Sequence, residues 1–407
     1  MDMNSPQWVR IYADCRISDT KMSDAVALRP SRSLPLGAVL ILIPLALAIA
    51  GLAIRYAAYS TVAQDASLAK FAEGMCQWDC AWYIKLSETG YDPFPIPTMI
   101  NAGNWAFFPL YPILVAVVRT LTGLETIVAA TGLSIVFCIA SARVAWPLLG
   151  KGLRAYTLFS AYLLAGPFSI WFTTFYTEVL FLFLTICVFV ALQKRQFLLA
   201  GLFAALLSAT RIVGVFIVFA ILIEIWRAHR GAGGTWRDFV PAVLRRPDLL
   251  LALFVAPLGL FGYMAYLHFH IGDALAFSHV QRAWSRPTGN PAVFVWNALT
   301  SFPKEGWVPT PSQQLAVATL AGYALAIALL VRRQYAMGVY ALICLTLPLF
   351  AGMASMLRFT AALAPIPLML TRLLATYRWL FAVSLIVLLA AGYLATIGWL
   401  TGYLSLV

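Results

Sequence analysis

Charge is what this chain has least of. Its 407 residues include only 28 Lys and Arg, 16 Asp and Glu and four His, while 62% are hydrophobic. About a quarter of the residues in a soluble domain are charged, so a soluble globular protein is excluded and a polytopic membrane protein is indicated. Also missing are a Gly-rich nucleotide loop, a ligand cluster at metal spacing and a Ser/His/Asp set at recognisable spacing. No cofactor and no metal is therefore called for. No internal repeat is visible. The six cysteines form no disulfide framework: Cys138, Cys187 and Cys344 lie in apolar runs, where a thiol behaves as a small hydrophobe. Cys76 and Cys80 share one polar segment and are read as two free thiols or one local bridge.

What is there is a series of apolar stretches. Near 34–57, 124–149, 155–175, 178–193, 197–210 with 212–226, 248–271, 315–331, 335–353, 359–377 and 379–402 the chain is apolar enough to cross a bilayer. These predict an all-α bundle of about eleven transmembrane helices. The stretch 197–226 is too long for one span and is interrupted by "SATRIVG", so it is read as two helices meeting at Arg211. The first run is too long for a signal-peptide core and reads as a retained span. Residues 1–33 then form a cytoplasmic, disordered tail, and 34–407 a single membrane domain.

The net charge of +12 does not call for nucleic acid, because Lys and Arg gathered between apolar runs mark cytoplasmic loops. With the N-terminus in the cytoplasm and the spans alternating, 18 of the 28 Lys and Arg fall on that side. Two long segments, 58–123 and 273–314, are then on the outer face. Within the first, "NWAFFPLYPILVAVVRTLTG" contains Pro109, Pro112 and Arg119 and is expected to lie along or dip into the interface.

An ionisable group in or against a bilayer is costly to keep, so each such residue is a functional candidate. Asp79, in "WDCAWY", sits between Trp78 and Trp82, which share one face if the segment is helical. It suits a general base, or else caps a helix among interfacial tryptophans. Glu178 stands where one span ends and the next begins, and a helix start favours a carboxylate. Arg211 interrupts an apolar hairpin; it suits a phosphate or an internal pair with Glu178 or Asp79. "FSHVQRAWSRP" offers His279, Gln281, Arg282, Trp284 and Arg286, for sugar faces and phosphates or for interfacial anchoring. Arg358, in "ASMLRFT", is a buried-arginine candidate or snorkels. On the outer face nucleotide-activated donors are scarce, so an activated group used there would have to arrive on a lipid.

The order "WDCAWYIKLSETGY", "AFFPLYP", "GPFSIWFTTFYTEVLFLF", "LLAGLFAALLSATRIVGVFIV", "QRAW" and "SMLRFTAALAPIPL" resembles the GPI mannosyltransferase II family and its bacterial relatives, within the GT-C superfamily of membrane glycosyltransferases. The resemblance covers Trp78 to about Leu370. It implies a GT-C-like bundle with interfacial helices in the first outer loop. It also implies transfer of a sugar, mannose foremost, from a polyprenyl-phosphate carrier to a lipid-linked or glycan acceptor on the periplasmic or lumenal side. The membrane would be a bacterial inner membrane, or that of the endoplasmic reticulum in a eukaryote. Asp79 would be the catalytic base of an inverting displacement, with Arg211 or Arg358 holding the lipid phosphate. Substrate would be bound by Trp78, Trp82, Tyr83, Glu178, Arg211, His279, Gln281, Arg282, Trp284 and Arg358.

Two departures from the family pattern stand out. Phe359 follows Arg358 where the family has Tyr, and Trp82-Tyr83 stand where it often has His-Phe, so the acceptor is not carried over. The competing reading is a lipid or anionic-solute transporter, which predicts inverted repeats and broken helices.

Overall fold

A computed structural model describes residues 34–96, 101–284, 286, 288–301 and 310–402. The expected N-terminal tail, 1–33, lies outside the described residues. Among those described the chain is helical throughout, with one isolated bridge between Ile96 and Ala102. The first helix, α1 (Leu36–Val62), has 27 residues and at 1.5 Å per residue is about 40 Å long, more than a hydrocarbon core needs. The segment that follows folds as three short helices, α2 (Leu68–Met75), α3 (Cys80–Thr89) and α4 (Leu110–Thr122). The last of them, α4, has 13 residues. It turns Ile113, Val117 and Leu121 outward along one face, the pattern of a helix lying against lipid.

The bundle continues through α5 (Thr126–Ala145), α6 (Leu153–Leu164), the single turn α7 (Ser169–Phe172), α8 (Glu178–Gln193) and α9 (Phe197–Ser208). Then come α10 (Ile217–Gly231), α11 (Trp236–Leu244), and the pair α12 (Pro247–Val255) and α13 (Leu258–Ile271). The second polar segment holds α14 (Ala276–His279) and α15 (Pro291–Leu299). The chain closes with α16 (Pro311–Val331), α17 (Tyr335–Leu349), the pair α18 (Met356–Ala362) and α19 (Pro365–Leu374), and α20 (Arg378–Thr401).

Among the described residues five helical segments are long and apolar enough to cross a membrane, and seven if each bent pair is one span. The other four anticipated stretches form shorter helices. Leu42, Leu45 and Ile49 on α1, and Val383, Ile386 and Val387 on α20, face outward from the bundle. Apolar surface on that scale is stable only against lipid, and the protein is membrane-embedded. The inner helix α8 is apolar all round and buried on nearly every side, as a core helix should be.

The structure breaks three of the stretches read as straight spans. Each break falls at a proline, which lacks the amide proton and crowds the preceding turn. α12 and α13 bend by 43° just before and at Pro257, and α18 and α19 by 73° next to Pro365. The stretch 155–175 is likewise interrupted at Ala165-Gly166-Pro167. There the freed carbonyl of Leu164 accepts a hydrogen bond from Arg55 Nη1 at 3.0 Å, and Arg55 also donates to Ser169 Oγ at 2.8 Å. Arg55 is thereby satisfied deep in α1, capping the end of α6. Gly51 and Gly392 let α1 and α20 close on this break, since a Cβ would lie 1.9 Å from Leu164 O and 2.1 Å from Ala165 O respectively.

Because successive helices alternate in direction, the turns carrying Lys151, Lys194, Arg195, Arg332 and Arg333 gather at one end. The polar segments with α2–α4, α14 and α15 gather at the other, where α8 begins and α9 and α17 end.

Candidate active site

At that second end lies a cavity of about 440 Å³. Asp79, Tyr83, Thr177, Arg211, Arg286 and Arg358 are among the polar groups of its wall, and Val213, Phe216, Leu347, Pro348 and Leu363 among the apolar ones.

Asp79 lies on the turn before α3, at the N-cap position of that helix. Its side chain makes no capping hydrogen bond; instead Oδ2 accepts one from Arg358 Nη1 at 2.7 Å. No described hydrogen bond engages Oδ1, so one oxygen is anchored and the carboxylate stays partly open to the cavity it lines. The turn before it is held from three sides. A disulfide joins Cys76 to Cys80, so the local bridge is formed. Tyr176 donates to Gln77 O at 2.7 Å, and Trp399 Nε1 donates to Met75 O at 3.1 Å. Trp78 has φ 55°, a left-handed conformation that costs a non-glycine residue about 1–2 kcal/mol.

That conformation sends Trp78 outward, 54% exposed and away from the cavity. The helix starts only after it, so Trp78 and Trp82 do not share a helical face. Trp82 instead stacks on Phe107 at 5.8 Å and meets Trp284 edge-on at 5.9 Å. Tyr83 lies 3.3 Å from Thr177 Oγ1 through its hydroxyl. Burial, reinforced by Glu178 and Asp79, raises its pKa, so it serves as a neutral hydrogen-bonding group.

Removing the bridge with Cys76→Ala and Cys80→Ala is expected to cost about 2 kcal/mol on loop-closure grounds. Asp79 would then be less firmly placed, and any reaction depending on it should slow tenfold or more. A fall in thermal midpoint with unchanged turnover would show that the bridge does not position Asp79.

Glu178 is the first residue of α8 and is buried, which the positive end of the helix favours. Its Oε1 accepts a hydrogen bond from Arg211 Nη1 at 3.0 Å and lies 3.3 Å from Arg358 Nε, an ion-pair approach outside hydrogen-bond geometry. Arg211 stands in extended backbone between α9 and a short 3-10 turn, and the expected meeting of two helices there is what is found. Its guanidinium packs 4.5 Å from the centre of the Phe359 ring. Phe359 therefore keeps an aromatic face for a cation although it lacks a hydroxyl. Arg358 is buried rather than snorkelling, and bridges Asp79 and Glu178.

The "VQRAW" stretch, Val280–Trp284, is a 3-10 helix, in which residues three apart share a face. Gln281 and Trp284 line the cavity. Arg282 points elsewhere and is exposed; His279 is exposed too, paired with Asp273 at 2.7 Å. Arg286, two residues past the turn, takes the place expected of Arg282. It donates to Ser355 Oγ at 3.4 Å. Partial burial, then Arg358 and Arg211, lower its pKa, with Asp79 opposing them. Among the described residues no three His, Cys, Asp or Glu side chains are placed to hold a metal.

No protein-family model matches this chain, and no curated protein matches it.

Proposed function

We propose that this protein is an inverting membrane glycosyltransferase of the GT-C type, moving a sugar, mannose foremost, from a polyprenyl phosphate to a hydroxyl of a lipid-linked or glycan acceptor. The observation that carries the reading is Asp79: a carboxylate fixed by a guanidinium through one oxygen, on a largely apolar cavity whose other charged groups among the described residues are arginines. The chain would cross the membrane eleven times with the basic turns in the cytoplasm. The cavity would then face the periplasm or lumen, where a disulfide such as Cys76–Cys80 persists. Ile212, exposed beside the cavity, marks the side from which an isoprenoid chain enters out of the bilayer.

In the reaction, the acceptor hydroxyl gives its proton to Asp79 as its oxygen attacks the anomeric carbon. The carbon–oxygen bond to the phosphate breaks with inversion, and the electron pair leaves on the polyprenyl phosphate, whose charge the arginines stabilise. Confining both substrates to the membrane removes much of the encounter entropy.

The 73° bend between α18 and α19, with Leu363 in the cavity wall, favours a second reading, a lipid transporter. Proteoliposomes given a labelled polyprenyl-phosphate mannose and a lipid-extract acceptor separate the two. Transfer of label to acceptor is expected; movement of the intact donor between leaflets without transfer would favour transport.

A further inference from the structure

We propose that Arg286 forms a phosphate site at the junction of two cavities, the place where the phosphate of a lipid-borne donor is received. The inference deepens the glycosyl-transfer reading and rests on it only for the identity of the donor.

Among the described residues three guanidiniums and two carboxylates meet around the main cavity. Arg211 is committed to Glu178, and Arg358 to Asp79 and Glu178. A cation already held at 2.7 to 3.0 Å by a carboxylate has its charge largely offset and attracts a further anion less strongly. The remaining positive charge sits on Arg286, whose described hydrogen bond goes to the neutral hydroxyl of Ser355 at 3.4 Å, a long contact. A guanidinium drawn partly out of water beside two others is unfavourable until an anion joins it. A phosphodiester brings the single negative charge that balances the five groups, and its oxygens match the planar donor fork of arginine.

The position of Arg286 suits a phosphate between two substrates. A second cavity of about 300 Å³ adjoins the first, and Arg286, Trp284 and Ala351 belong to both walls. The main cavity offers the apolar strip for a chain, and the second adds Asn297 and Phe294. Ser355, which meets Arg286, is held at φ 65° at the start of α18, so the helix carrying Arg358 also braces Arg286.

The full-length protein in detergent is titrated with dodecyl phosphate, with inorganic phosphate and with dodecanol, following the thermal midpoint and calorimetric affinity. Dodecyl phosphate is expected to bind and stabilise the wild type. Arg286→Gln should weaken it at least tenfold, and Arg286→Lys should retain part of the binding. Dodecanol should bind at least tenfold more weakly than dodecyl phosphate, and inorganic phosphate should compete but bind weakly. Undiminished dodecyl phosphate binding by a folded Arg286→Gln, or equal binding of dodecanol, would overturn the site. Equal binding of inorganic phosphate would overturn its assignment to a lipid-borne group. No sugar moves in this assay, so arginine-dependent binding by a protein that fails to transfer sugar would refute the enzyme and leave the site standing.

Discussion

Asp79→Asn is expected to lower sugar transfer by about 10²–10⁴-fold, the usual contribution of a positioned general base, with expression intact. The amide is nearly isosteric with the carboxylate, and its oxygen still accepts from Arg358 Nη1 in place of Asp79 Oδ2. The turn fixed by the Cys76–Cys80 bridge is untouched, so the fold should survive with only a modest loss of midpoint. What disappears is the ability to take a proton. Asp79→Glu, which keeps that ability but moves the carboxyl by one methylene, should recover only part of the rate, because misplacement of about 1 Å costs as much as 10²-fold. Turnover per molecule in proteoliposomes, at matched expression, is the measurement. A wild-type rate in Asp79→Asn would remove this residue from the chemistry.

Arg358→Met is expected to destabilise the protein by about 3–5 kcal/mol, the cost of stripping one partner from a buried ionic pair. Arg358 touches both carboxylates, at 2.7 Å from Asp79 and 3.3 Å from Glu178, so its loss strips Asp79 of its described ion pair and leaves Glu178 with Arg211. Adding Glu178→Gln should restore part of the lost stability, since it removes one uncompensated charge. That non-additivity, read from thermal midpoints of the single and double variants, distinguishes a charge network from a packing defect. Strict additivity would mean that the two residues do not share one electrostatic unit. Sugar transfer should be absent in both variants, because Asp79 loses its anchor in each.

The costly residues were legible in the sequence because an apolar chain makes every retained charge conspicuous. Asp79, Glu178, Arg211 and Arg358 were marked in this way, and the structure draws these four, separated by up to 279 positions, into one contact network. Arg282 and Arg286 could not be told apart by composition. That choice depends on the three-residue period of the turn Val280–Trp284 and on what comes after it. Whether Trp78 and Trp82 share a face depended on the segment being helical at both, and a left-handed residue precedes the helix, a conformation no side-chain pattern announces. The bends near Pro257 and Pro365 were foreshadowed by the prolines themselves, but a proline sets where a helix can break, not by how much.

By itself the sequence determined that this protein lives in a membrane, and which few residues are expensive enough there to have a purpose, since transfer to lipid depends on each side chain's own chemistry. Only the tertiary structure decided which charge neutralises which, that Arg286 is left without a carboxylate among the described residues, and that Trp78, Trp82, His279 and Arg282 are not part of the cavity wall. Pairing energies fall off over a few ångströms, and distances that short between segments far apart in the chain exist only once the helices have packed.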